Sequence, residues 1–137
     1  MILLHEPTLK GNEKKYLSEC INTNWISTSG KFINLFEKEI CKYTKSKHVV
    51  LVNSGTSALH ISLLLSNIKP GDEVIVPTVS FIAPINAVNY CKASPIFIDV
   101  DDYLNIDIKK VISFLENETI TKNNLTYNKK TKKKISA

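Results

Sequence analysis

Between His48 and Leu115 the sequence alternates short continuous apolar runs with stretches of helical period, and few folds accommodate that alternation. His48 to Asn53 is rich in β-branched residues and predicts a strand. Thr56 to Ser66 predicts a helix ending near Asn67, with Pro70-Gly71-Asp72 as the following turn. Glu73 to Pro77 predicts the next buried strand, and Ala83 to Cys91 a helix that tolerates Pro84 because it falls in the first turn. Ser94 to Val100 predicts a third strand, and Ile106 to Leu115 a third crossover helix with Val111, Ile112 and Leu115 inward. Apolar strands separated by helices are what a parallel sheet covered on both faces requires. The fold class is therefore α/β, a mostly parallel sheet with crossover helices in a three-layer αβα arrangement.

The flanks read differently. Met1 to Pro7 predicts extended chain, and Tyr16, Leu17, Cys20 and Ile21 recur at helical spacing within Gly11 to Asn22. Lys31 to Thr44 predicts a second helix, because Ile33, Phe36, Ile40 and Tyr43 form one apolar stripe. Between them, Trp25, Ser27, Thr28 and Gly30 lie in a stretch of turn formers that holds the only tryptophan, which suits a binding loop as well as a core anchor. Residues 117–134 predict a polar, lysine-rich loop, and Lys134 to Ala137 the opening of another strand. Three parallel strands with uncovered faces and edges lead to the expectation of a fragment of a larger domain. Within it, residues 1–46 are N-terminal helices, 47–116 a strand-helix core and 117–134 the loop.

Charge and cysteine content exclude several classes. The net charge of +5 is local: residues 122–137 hold six lysines and no acid, so the remainder is close to neutral. The cluster of Lys122, Lys129, Lys130, Lys132, Lys133 and Lys134 has no recognition helix and no arginine, which predicts a solvated loop with no nucleic-acid partner. No apolar run approaches the roughly 20 residues of a membrane span, and the charged N-terminus does not read as a signal peptide, so a cytoplasmic protein is expected. Cys20, Cys41 and Cys91 are too few and too far apart for a disulfide framework or a metal site, so they are read as small hydrophobes.

Chemistry concentrates at Asn53-Ser54-Gly55-Thr56-Ser57, where the first predicted strand gives way to a helix. The first amides of a helix have no intrahelical acceptor and sit at the positive end of its dipole, so they stabilise a phosphate. Gly55 permits close approach, and Thr56 and Ser57 add hydroxyls. The same residues also make an ordinary N-cap, and the turn alone leaves both readings open. Neither the P-loop nor the dinucleotide-binding glycine pattern is present.

Taken together, His5-Glu6-Pro7, Asn24 to Lys31, Phe36-Glu37, Asn53 to His60, Pro70 to Pro77, Ser80 to Ala83, Asn86-Ala87-Val88 and Pro95 to Val100 resemble, in colinear order, the DegT/DnrJ/EryC1/StrS sugar aminotransferases of fold-type I. The lysine-rich stretch before Ile135 resembles an insertion in the legionaminic-acid-pathway branch. The resemblance implies the N-terminal part of a fold-type I large domain that binds pyridoxal 5′-phosphate. It further implies transfer of an amino group, from glutamate, to a UDP-linked 4-keto-6-deoxy sugar in surface-glycan or nonulosonic-acid biosynthesis, by a homodimer.

By the same resemblance Gly55, Thr56 and Ser57 hold the cofactor phosphate, Phe81 stacks on its ring, and Trp25, Ser27 and Thr28 border the nucleotide-sugar substrate. Pattern alone would make Phe81 a core residue. Pro84 departs from the hydroxyl residue common there. The family's Schiff-base lysine and pyridinium-pairing aspartate are expected beyond residue 137, so no catalytic residue is assigned and Asp99, Asp101 and the lysines are not promoted to those roles. The fragment alone is expected to be inactive. His5, His48 and His60 lack metal-ligand or acid-base partners at useful spacing and are read as structural. A dehydratase of the same family, or a noncatalytic remnant or basic interaction module using its lysines, remains the alternative.

Overall fold

The computed structural model describes residues 6–137, so His5 and most of the Met1 to Pro7 segment lie outside the described residues. The chain forms two compact units, Met1–Leu51 and Val52–Ala137.

The first unit is a pair of helices, α1 (Glu13–Asn22) and α2 (Lys31–Thr44). Asn12 provides no side-chain cap to α1, and the Glu13 carboxylate instead accepts the Gly11 amide at 2.9 Å. At the other end the Thr23 amide and hydroxyl both donate to the Glu19 carbonyl, and Asn24 turns the chain with φ of 56°. Tyr16 and Phe32 pack with ring centroids 4.9 Å apart, which joins the two helices. α2 stops at Lys45, whose φ of 59° closes the helix in the left-handed conformation.

The second unit contains α3 (Gly55–Leu65), β1 (Glu73–Pro77), α4 (Ile82–Tyr90), β2 (Ser94–Ile98), α5 (Ile108–Asn117), β3 (Thr119–Lys122), β4 (Leu125–Asn128) and β5 (Lys134–Ile135). Its five strands form one mixed sheet in the order β2-β1-β5-β4-β3. β1 is parallel to β2 and β5, whereas β4 is antiparallel to β5 and β3. The sheet is thus of the α/β kind, with a parallel half and an antiparallel hairpin.

Period two along β1 puts Val74 and Val76, each 4% exposed, on the face covered by α3 and α4. They pack there with Ile68, Val88, Cys91 and Ala93. Gly71 makes the turn into β1 with φ of 89°, a conformation that needs glycine. Pro84 is the third residue of α4, as its missing N–H demands.

Three expectations need correction. The His48 to Asn53 run forms no strand: a β-branched segment becomes one only when a neighbour completes its hydrogen bonds, and none of the described strands pairs with it. Val50 stays 80% exposed. Residues 117–134 are not a loop, because Asn123 and Asn124 adopt φ of 52° and 59°, the two left-handed residues of a tight hairpin turn. That turn pairs Ile120 with Tyr127 and Thr121 with Thr126. In α5 the half-buried residues are Val111 and Phe114, while Ile112 and Leu115 remain exposed, since α5 packs chiefly along β3.

Two neighbouring carboxylates join the rest of the sheet to β1, Glu73 holding the hairpin and Asp72 holding β5 and the residue after it. Asn128 donates from Nδ2 to the buried Glu73 at 3.0 Å. Asp72 accepts the Ser136 hydroxyl at 2.7 Å and the Lys69 amide at 2.9 Å, with Lys134 Nζ at 3.6 Å. Burial pushes the Asp72 carboxyl up, but Ser136, Lys69 and Lys134 together outweigh it and hold it below the ordinary carboxylate range. Among the other lysines of the cluster, Lys133 bonds the Ser94 hydroxyl and Lys129 the Asn117 carbonyl, so much of the basic stretch belongs to the fold.

Candidate functional site

The start of α3 is open to solvent and chemically divided. Ser54 is its N-cap, extended in backbone, and its hydroxyl oxygen accepts the Ser57 amide at 3.2 Å. The Ser57 hydroxyl donates to Asn53 Oδ1 at 2.8 Å and lies 3.0 Å from Ser54 Oγ. Ser57 is therefore engaged at both its donors. The amides of Gly55 and Thr56 have no acceptor among the described residues.

Among the described residues nothing in the fold requires Gly55 to be glycine. Its φ is not positive, and a Cβ built on it meets nothing within 4 Å. The space a side chain would fill lies beside two free amides at the positive end of an eleven-residue helix. An anion can approach the backbone there more closely than at any larger residue.

Phe81 is the N-cap of α4 and is 88% exposed, so the core reading that pattern alone suggested does not hold. The two helices pack side by side, and His60 of α3 meets Tyr90 of α4 edge to face at 5.5 Å. Ile68, just after α3, and Cys91, just after α4, enter the same core cluster. With their C-termini converging, the helices direct their N-termini to the opposite end, where the carboxyl ends of β1 and β2 emerge. Ligands of open α/β sheets bind at that end.

One network there was not foreseen. Thr78, immediately after β1, donates its hydroxyl to Asp99 Oδ1 at 3.3 Å, and Lys110 of α5 donates to Asp99 Oδ2 at 2.7 Å. The bond from Lys110, with the Val100 amide, holds the Asp99 carboxyl below its ordinary range, and Asp99 in turn raises Lys110.

The Trp25 loop belongs to the other unit. Trp25 is 54% exposed, its indole N–H donates to the Ser29 carbonyl, and its ring lies so close to Gly30 that any side chain there would collide. Ser27 donates to the same Ser29 carbonyl at 3.3 Å. Trp25 and Ser27 line a cavity of about 530 Å³ with Leu17, Cys20, Ile26 and Phe32. Thr28 is exposed and outside it. At its rim Lys31 pairs with Glu19 at 2.6 Å, which raises the Lys31 pKa.

Comparison with known proteins shows the family. Residues 7–124 match the model of the DegT/DnrJ/EryC1/StrS aminotransferase family. The chain belongs to that family. It is 45% identical over 114 residues to GDP-perosamine synthase of Caulobacter vibrioides, a match covering 82% of this chain and 31% of that protein. To GDP-perosamine synthase of Vibrio cholerae it is 42% identical over 112 residues, covering 81% and 30%. NtdA from Bacillus subtilis, solved with bound cofactor PMP, superposes with a TM-score of 0.67 at 37% identity, covering 73% of this chain and 23% of that one. The chain thus spans about 30% of the length of the curated relatives it matches.

Pyridoxal phosphate, whose amino form is PMP, is the cofactor that this membership brings. Its phosphate fits the start of α3: free amides at Gly55 and Thr56, the half-buried Thr56 hydroxyl and unobstructed space over Gly55 suit a dianion. Among the described residues no group of histidine, cysteine or carboxylate side chains could hold a metal ion, and no helix is long and apolar enough to cross a membrane.

Proposed function

We propose that this chain is the cofactor-anchoring part of a pyridoxal-phosphate-dependent aminotransferase that acts on a nucleotide-linked keto-sugar, with glutamate as amino donor. The observation that carries the reading is the open glycine at the head of α3, with two amides that no acceptor among the described residues uses.

In this reading Gly55 and Thr56 hold the cofactor phosphate through their amides. Ser57 joins them once its hydroxyl turns from Asn53. Phe81 offers its exposed ring to the pyridine, and Trp25, Ser27 and Thr28 border the sugar nucleotide. Bound pyridoxal phosphate supplies the electron sink for amino-group transfer. The residues of this chain contribute anchorage, orientation and the exclusion of water over one face of the ring. The family's lysine and pyridinium-pairing aspartate correspond to none of its residues, and residues 1–137 carry out no transamination in this reading.

The resemblance favours a UDP-linked 4-keto-6-deoxy sugar of the legionaminic-acid type, and the matched perosamine synthases bring a GDP-linked sugar forward beside it. The whole enzyme acts in the cytoplasm as a homodimer in surface-glycan or nonulosonic-acid biosynthesis, without nucleic acid or membrane.

Titration of the chain with pyridoxine 5′-phosphate, followed by ³¹P NMR, tests the anchor. Binding that is lost in Gly55→Val supports it. Wild-type and Gly55→Val chains that bind alike would remove the phosphate from this turn.

A further inference from the structure

The segment leading into Phe81 is fastened to the sheet at one residue. The Thr78 amide donates to the Ile98 carbonyl at 2.9 Å and its hydroxyl to Asp99 Oδ1 at 3.3 Å. Asp99 is itself held: Lys110 Nζ meets Oδ2 at 2.7 Å, and the Val100 amide meets Oδ1 at 2.9 Å. Lys110 lies 4.0 Å from Asp107 as well, so it is bracketed by two acids at the start of α5.

Beyond Thr78, Val79 and Ser80 are exposed and make no hydrogen bond among the described residues, and Phe81 is 88% exposed. A ring with no packing of its own takes its direction from the backbone that carries it. The anchoring side chain nearest to it on that backbone is Thr78.

We propose that Asp99, clamped by Lys110, is a positioning residue: through the Thr78 hydroxyl it aims Phe81 at the cofactor ring. The proposal rests on the stacking assignment of Phe81 above. It gives work to a carboxylate that touches neither cofactor nor substrate.

The test compares two probes, pyridoxine 5′-phosphate and inorganic phosphate, binding to the full chain. Only the first has a ring to stack. Thr78→Val removes the hydroxyl and keeps the shape of an exposed side chain. It is expected to weaken pyridoxine phosphate by about 2- to 10-fold, the range of one aromatic contact. Inorganic phosphate affinity and the unfolding midpoint should stay at wild-type values. Thr78→Ser restores the affinity, Asp99→Asn keeps an acceptor for Thr78 and most of the affinity, and Asp99→Ala matches Thr78→Val.

In a Phe81→Ala background, Thr78→Val should cost nothing further, because the two act through one contact. Equal weakening of both probes, persistence of the loss without Phe81, or no effect of Thr78→Val would each overturn the proposal. A Phe81→Ala chain that binds pyridoxine phosphate as tightly as wild type instead defeats the stacking assignment itself, and this inference with it.

Discussion

Alanine at position 55 places a methyl group where the fold offers open space and where the proposed ligand must come closest. A Cβ built there meets nothing within 4 Å, and the residue sits at the first position of α3 without a positive φ. Folding should therefore gain. Gly→Ala within a helix is worth about 1 kcal/mol, and half of that is a reasonable share for a first-turn position. For a chain of this length the entropy of unfolding converts 0.5 kcal/mol to a rise of about 2 °C in the melting midpoint.

Ligand binding should move the other way. The methyl stands between an approaching phosphate oxygen and the Gly55 and Thr56 amides, and hydrogen bonds to a charged group contribute about 1.5–3 kcal/mol each. Losing most of one such bond weakens pyridoxine 5′-phosphate by about 10-fold. Thermal denaturation by circular dichroism and ³¹P NMR titration on the same samples give both signs. A variant that is more stable and binds as tightly as wild type would show that the glycine does not serve the anion. A variant that is markedly less stable would show that the space over Gly55 is not free.

Other substitutions probe the surrounding structure. Ser54→Ala removes the α3 cap and should cost about 1 kcal/mol, seen as a lower denaturation midpoint in urea. Asp72 has a carboxyl pKa depressed by the fold, so its stabilisation is complete above its unfolded value near 3.8 and is lost as pH falls through the lower folded value. Melting midpoints between pH 6 and pH 2 should then fall less steeply in Asp72→Asn than in wild type, and parallel curves would discount the clasp. Asn124→Gly should hold or raise stability, whereas Asn124→Val should lower it by 1 kcal/mol or more, because a β-branched residue resists the φ of 59° found there. Equal stability of the two in chemical denaturation would contradict the turn assignment.

Much of this architecture can be read locally. The apolar steps at Ile33, Phe36, Ile40 and Tyr43 return the bounds of α2, and the Pro70-Gly71-Asp72 turn and the β1 strand follow from backbone preferences that neighbours do not override. What escapes a local reading depends on partners distant in sequence. Val49 to Val52 has the composition of a strand, but hydrogen bonding to a neighbour is what makes one, and none of the described strands supplies it. Lysines in residues 122–134 obscured a hairpin whose signal was the alternation around Asn123-Asn124, and charged residues are common on such strands.

The site divides in the same way. Gly55-Thr56-Ser57 at a helix start was legible, and family resemblance supplies the ligand proposed for it. The capture of Ser57 by Ser54 and Asn53 could have been read from capping spacing. The chain from Thr78 through Asp99 to Lys110 could not, because it joins residues 21 and 11 positions apart on separate elements.

The hairpin, held through Asn128 by Glu73, grips β1 at its first residue, whereas Phe81 follows its last. Four steps of extended chain, about 13 Å, separate the two ends. The family match stops at residue 124, inside the turn of that hairpin. Lengthening or recharging the ornament at the far rim of the sheet should therefore leave the geometry of the proposed site at the near rim unchanged.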